Sequence, residues 1–81
     1  MPNLSRMKTQ VVATRIAAGN ARAEAARQKI SGREIARRLD LPQMYVSRRL
    51  SGEVEFSESD LRRFAQVLNI SAATLLGENQ E

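Results

Sequence analysis

The fold is decided by one stretch of 22 residues, SGREIARRLDLPQMYVSRRLSG, which runs from Ser31 to Gly52. At its start, Ser31 can cap a helix, and Glu34 three residues later can reach back to the cap. The triplet DLP in its middle ends that helix, because proline is favoured at the first position of a helix and disrupts its interior. We therefore predict a short helix over residues 32–39, a tight turn, and a second short helix over residues 42–51.

The apolar residues of this stretch indicate that the two helices cross closely. These apolar residues can be buried together only if the two helices cross: Ile35, Ala36, Leu39, Leu41, Val46 and Leu50. Ala36 is predicted to lie at the contact point, where the side chain must stay small. Two short helices joined by a tight turn form the layout of a helix-turn-helix.

The segment before this pair also has a helical pattern. Its apolar residues recur at spacings that place them on one helical face: Val12, Ile16, Ala23, Ala26 and Ile30. The pair Gly19-Asn20 makes helix formation less favourable by roughly 1–1.5 kcal/mol relative to two alanines. This cost is not obviously enough to split a segment so rich in residues that favour helix. We predict one long helix from about Thr9 to Lys29, with a break at Gly19 as the alternative.

The segment after the pair repeats the cap pattern, with Ser57 three residues before Asp60 and a weaker version at Ser71. This pattern predicts helices over residues 58–68 and 72–76. No stretch has the alternation of a strand, so the fold class is predicted to be all-α.

We therefore expect one compact five-helix domain with a long first helix. It is predicted to span residues 9–76, between a flexible N-terminal arm over residues 1–8 and a flexible tail over residues 77–81.

Composition narrows the classes of function. The 81 residues include neither Cys nor His, which removes disulfides, thiolate nucleophiles, imidazole bases and nearly all zinc chemistry. Residues 1–52 carry eleven Lys or Arg against three acids, a net charge of +8, whereas residues 53–81 carry two against six, a net charge of −4. Arginine suits bidentate contacts to phosphate and guanine. Charge alone is equally compatible with nucleic-acid binding and with a solvated basic face.

The central stretch closely resembles the helix-turn-helix of the lambda-repressor-like family, which includes phage repressors, Cro proteins and small bacterial regulators. Three landmarks fall in register: EIARRL at residues 34–39, VSR at 46–48 and LSG at 50–52. The resemblance extends to the flanking helices and covers about three quarters of the chain. Family members usually have glycine where Asp40 stands, glutamine where Gly32 stands, and basic residues in the loop that is acidic here at residues 53–56.

The resemblance implies a sequence-specific double-stranded DNA-binding regulator that reads the major groove with the helix over residues 42–51. The residues expected to read bases are Gln43, Met44 and Arg48. Their chemistry agrees, because Gln can bond adenine, Arg can bond guanine and Met can pack on a thymine methyl. Contacts to the DNA backbone are expected from a further six residues: Ser31, Arg33, Tyr45, Ser47, Arg49 and Ser51. Tyr45 could instead cover the edge of the core.

The expected partner is double-stranded DNA, bound by a weak or DNA-induced homodimer. We expect no cofactor, no metal, no small-molecule substrate and no membrane, and a cytoplasmic, nucleoid-associated location. Catalysis is not expected, because the candidate acid–base residues Glu34, Asp40 and Tyr45 show no clustering that suggests such work. The alternative function is that of an antitoxin or a protein-interaction module with the same fold.

Overall fold

Five α-helices make up the fold in the computed structural model, which describes the backbone of residues 4–78 and the side chains of residues 14–78. The helices are α1 (Leu4–Gln28), α2 (Gly32–Leu39), α3 (Gln43–Ser51), α4 (Glu58–Val67) and α5 (Ala72–Leu75). No strand occurs within the described backbone, and the predicted all-α class and five-helix architecture are confirmed. None of the helices in this part of the chain is both long enough and apolar enough to cross a membrane.

The turn between α2 and α3 follows from local signals in the sequence. The Ser31 side chain accepts a hydrogen bond from the backbone N–H of Glu34 at 3.0 Å, and α2 begins there. Asp40 ends α2 in the left-handed conformation, with φ 57° and ψ 45°, at the position where family members usually have glycine. Asp adopts this conformation at lower cost than most residues, so the turn forms without glycine. Pro42 precedes α3 as its N-cap residue, and the helix therefore starts one residue later than predicted.

The last two helices begin where the cap pattern predicts. Ser57 and Asp60 form a reciprocal capping box at the start of α4, in which each side chain accepts a hydrogen bond from the other's backbone N–H. Both helices end one residue earlier than predicted, because Leu68 and Leu76 serve as their C-cap residues.

Helix α1 is longer than predicted and unbroken. It starts at Leu4, five residues before the predicted start at Thr9, and no Gly or Pro between these two positions would stop it earlier. The predicted arm over residues 1–8 thus overlaps the helix, while residues 1–3 and the end of the predicted tail at 79–81 lie outside the described residues. The alternative break at Gly19 is wrong, because the helix continues through it to Gln28.

The buried face of α1 is not the predicted one. It is made of small residues at spacings of one, three and four: Ala17, Ala18, Ala21 and Ala25. Ile16 is 43% exposed, Ala23 and Ala26 are exposed, and the side chain of Val12 lies outside the described residues. Of the predicted set, Ile30 beyond the end of α1 is half-buried against the core. Helix α1 itself packs closely against the other helices through a different set of alanines.

The core is filled by larger side chains from the rest of the chain. Five apolar side chains are fully buried: Ile35, Val46, Phe64, Leu68 and Leu75. The Phe56 ring packs against Phe64 with the ring centroids 4.9 Å apart. Ala36 is 4% exposed, as its predicted place at the crossing of α2 and α3 requires.

Candidate nucleic-acid interface

One side of α3 faces solvent, and it carries the residues that the sequence predicts to read bases. Met44 is 61% exposed, and Gln43 and Arg48 are also exposed. The opposite side of the helix is anchored in the core by Val46, which has no exposed surface. The helical period of the sequence therefore predicted correctly which side chains α3 presents to solvent.

An open groove runs between α1, α2 and α3 beside this exposed side. We call it the basic groove, and it is lined by Arg22, Ser31, Gly32, Arg33, Gln43, Ser47, Leu50 and Ser51. Its lining contains two arginines and no acidic residue. The groove brings together five of the nine predicted contact residues, from the start of α2 and from both ends of α3.

Arg22 is a member of the basic groove that the sequence analysis did not select. Its guanidinium donates a hydrogen bond to the backbone carbonyl of Leu50 near the end of α3. The last carbonyls of a helix have no partner within the helix, and a cation there is favourable. Arg22 thus ties α3 to α1, a contact across 28 positions that no local pattern predicts.

The space around Gly32 in the basic groove is tight. A Cβ atom at this position would lie 3.3 Å from Cδ1 of Leu50, which is tighter than most such contacts. The start of α2 therefore approaches α3 closely enough to favour a residue without a side chain. This approach accounts for glycine at the position where family members usually have glutamine.

The other side of α3 is held by a buried carboxylate. The side chain of Asp60 in α4 has no exposed surface. Its Oδ1 accepts a hydrogen bond from the hydroxyl of Tyr45 at 2.5 Å. Its Oδ2 accepts from Nε of Arg49 at 3.2 Å and from the backbone N–H of Ser57 at 2.9 Å. We call these four residues the Asp60 cluster, and it joins α3 to α4.

The contacts within the Asp60 cluster hold it in one charge state. Burial raises the pKa of Asp60, but hydrogen bonds from Ser57, Tyr45 and Arg49 outweigh it and leave that pKa below its ordinary value. The hydrogen bond to Asp60, together with burial, raises the pKa of Tyr45. The Arg49 guanidinium also lies 3.6 Å from the centre of the Tyr45 ring, in cation–π geometry. At neutral pH the cluster therefore pairs an ionised carboxylate with a protonated phenol.

Tyr45 and Arg49 were predicted to contact the DNA backbone, but both also make hydrogen bonds inside the protein, in the Asp60 cluster. The Tyr45 hydroxyl and the Arg49 Nε are engaged by Asp60, and the Arg49 side chain is only 17% exposed. The sequence revealed Asp60 as a capping residue through its spacing from Ser57. It gave no signal for the second role, because Tyr45 and Arg49 lie 15 and 11 positions away.

The basic residues of α2 divide into paired and unpaired groups. Arg37 and Arg38 both donate to the carboxylate of Glu34, and their hydrogen bonds lower the pKa of Glu34 to about 2. The Glu34 carboxylate bonds these two arginines instead of reaching back to the Ser31 cap, so only the Ser31 half of the possible capping box forms. Arg33 makes no ion pair within residues 14–78. Of these arginines, it is the one left available beside the basic groove.

Comparison with known proteins identifies the fold family. A helix-turn-helix family profile matches residues 22–75, which includes the end of α1 and all of α2, α3, α4 and α5. Searches of curated proteins and of solved structures found no significant match. The matched region spans two thirds of the 81 residues and contains the pair α2 and α3 with the exposed side of α3. The chain belongs to the lambda-repressor-like helix-turn-helix family of DNA-binding regulators.

Proposed function

We propose that this protein is a sequence-specific transcriptional regulator of the phage or bacterial repressor and Cro type, and that α3 reads the major groove. The observation that carries the proposal is the continuity of the exposed side of α3 with the basic groove. A helix about 10–12 Å wide fits the major groove of B-form DNA. A flanking surface that bears arginines can then meet the phosphates beside it. Such a regulator acts in the cytoplasm on nucleoid or phage DNA.

The base-reading residues in this proposal are Gln43, Met44 and Arg48. Gln43 opens α3, at the end that helix-turn-helix proteins lower into the groove. Its amide can bond adenine at N6 and N7, and Arg48 can bond guanine at O6 and N7. The exposed thioether side chain of Met44 suits a thymine methyl. Each pairing predicts a preference for one base rather than a general attraction to DNA.

The phosphate contacts in this proposal come from the basic groove. Arg33 supplies the charge, and Ser31 and Ser47 supply hydroxyl groups along the same groove. The Ser51 hydroxyl also lines the groove but donates to the carbonyl of Arg48, so it contacts a phosphate only by giving up that bond. The start of α2 adds backbone N–H groups with a favourable helix dipole. We assign Tyr45 and Arg49 mainly to holding α3 in place, because Asp60 occupies their polar groups. These contacts position the protein on DNA without selecting a sequence.

Replacing Arg48 by alanine tests the base-reading role. Selection from a pool of random duplexes first identifies the preferred sequence of the wild type. On that sequence, Arg48→Ala is expected to cost about 1–3 kcal/mol and to relax the preference at one base pair, because a bidentate guanine contact is lost. Binding isotherms on the preferred duplex and on its single-base variants measure both effects.

Arg33→Ala is the matched control, since it also removes one exposed arginine of the helix pair. It is expected to weaken binding to all duplexes alike, because a phosphate contact carries no sequence information. If Arg48→Ala also weakens preferred and random duplexes equally, Arg48 contacts phosphate and its assignment to a base is wrong.

We also propose that the protein binds its natural site as a pair on an inverted repeat, with half-site centres about 10 base pairs apart. A reading helix of nine residues spans only a few base pairs, too few to single out one site in a genome. The described surface offers few large exposed apolar side chains, chiefly Ile16 and Met44. We therefore expect a monomer or weak dimer in free solution that pairs cooperatively on DNA.

Sedimentation of the free and DNA-bound protein measures this pairing, with the spacing of the half-sites varied. Insertion of five base pairs is expected to abolish cooperative binding, because it turns the second half-site to the opposite face of the duplex. The paired arrangement is contradicted if a single half-site binds as tightly as the full site, or if the insertion leaves the affinity unchanged.

A further inference from the structure

The loop after α3 is folded back onto the base-reading arginine. Gly52 ends the helix in the left-handed region, with φ 85°, and turns the chain back. The backbone N–H of Val54 then donates to the carbonyl of Arg48 at 3.2 Å. Glu53 lies between Gly52 and Val54, so these backbone contacts hold it beside the last turn of α3.

The side chain of Ser51 reinforces this arrangement. Its hydroxyl donates to the same carbonyl of Arg48 at 3.0 Å and accepts from the backbone N–H of Glu53 at 3.2 Å. The Glu53 carboxylate consequently faces the Arg48 side chain, with 3.7 Å between Oε2 and Nε. The side chains are 67% and 51% exposed, so the ion pair is loose and open to exchange.

Arg48 can still bond a guanine while it is paired with Glu53. The carboxylate approaches Nε, and the two terminal nitrogens of the guanidinium remain for O6 and N7 of a guanine. Phosphate contacts by the same guanidinium are disfavoured, because a carboxylate beside it repels the phosphate charge. The pair thus favours DNA that offers a base to Arg48 over DNA that offers phosphates alone.

We propose that Glu53 is a specificity-determining residue: it leaves the terminal nitrogens of Arg48 available to a base and lowers affinity for DNA without that base. This inference rests on the proposed function and adds a role that the family resemblance does not supply, since family members usually carry a basic residue in this loop. An acidic residue here lowers the affinity for all DNA and raises the ratio of the affinity for the preferred sequence to that for random sequences.

The test compares Glu53→Gln with Glu55→Gln on the preferred duplex and on random duplex at several salt concentrations. Both variants remove one exposed acidic charge from the same loop, but Glu55 makes no ion pair within residues 14–78. Glu53→Gln is expected to raise affinity for random duplex about two- to fivefold and to change affinity for the preferred duplex less. The ratio of preferred to random affinity should therefore fall by a similar factor, and Glu55→Gln should leave that ratio unchanged.

The same two substitutions in the Arg48→Ala background separate the pair from general charge. There, Glu53→Gln and Glu55→Gln are expected to have equal effects, because the partner of Glu53 is gone. Equal effects of the two substitutions in the wild-type background would overturn the role of Glu53 and leave the proposed function standing. A wild-type protein with no preferred sequence would overturn both.

Discussion

Replacing Asp60 by alanine is expected to lower the free energy of unfolding by about 3–5 kcal/mol. The change leaves the Arg49 charge without its partner and the Tyr45 hydroxyl and Ser57 N–H without their acceptor, in a site where Asp60 itself has no exposed surface. For a domain of this size, such a loss lowers the melting temperature by more than about 12 °C. Thermal unfolding followed by circular dichroism measures it.

Two further variants calibrate the Asp60 result. Tyr45→Phe removes one donor and leaves Asp60 with its other partners, so it should cost only about 0.5–1.5 kcal/mol. Glu58→Ala removes an exposed carboxylate from the same helix and should stay within about 0.5 kcal/mol of the wild type. A melting temperature for Asp60→Ala equal to that of Glu58→Ala would contradict the role of the Asp60 cluster in holding α3.

Ala36→Leu is expected to unfold the domain or to disorder α3. Ala36 is 4% exposed and is predicted to lie at the crossing of α2 and α3, where three added heavy atoms overpack the site by about 1–3 kcal/mol or more. Circular dichroism, with one-dimensional NMR of the methyl region, distinguishes loss of helix from loss of packing.

Ala26→Leu makes the same chemical change at an exposed position of α1. It is expected to leave the free energy of unfolding within about 0.5 kcal/mol of the wild type. Ala36 does not lie at a close crossing if Ala36→Leu melts at the wild-type temperature with a native spectrum.

The features that the sequence predicted well depend on neighbours along the chain. The bounds of α2 were predicted to the residue, because Ser31 caps its start and Asp40 can adopt the left-handed conformation at its end. The exposed side of α3 followed from the helical period and from two apolar positions, Val46 and Leu50. Local signals of this kind act within four residues, so they can be read before the fold is known.

The features that the sequence did not predict depend on contacts between distant residues. The buried face of α1 consists of alanines, which carry no strong apolar signal, and the larger Ile16 points to solvent instead. The role of Asp60 arises only when the fold brings it beside Tyr45 and Arg49 of α3. The close approach of Gly32 to Leu50 likewise requires the crossing of two helices. Packing decides these positions, and no spacing along the chain encodes it.

The measurement that tests the central proposal most directly is a salt titration of binding to the preferred and to a random duplex. With about 4–6 phosphates neutralised per protomer, log K should fall with log salt at a slope of roughly −4 to −5. The preferred duplex should bind more tightly than the random one at every salt concentration, because base contacts persist when counterion effects are reduced. A slope near zero on both duplexes, or equal affinity for the two at all salt concentrations, would contradict sequence-specific DNA binding by this protein.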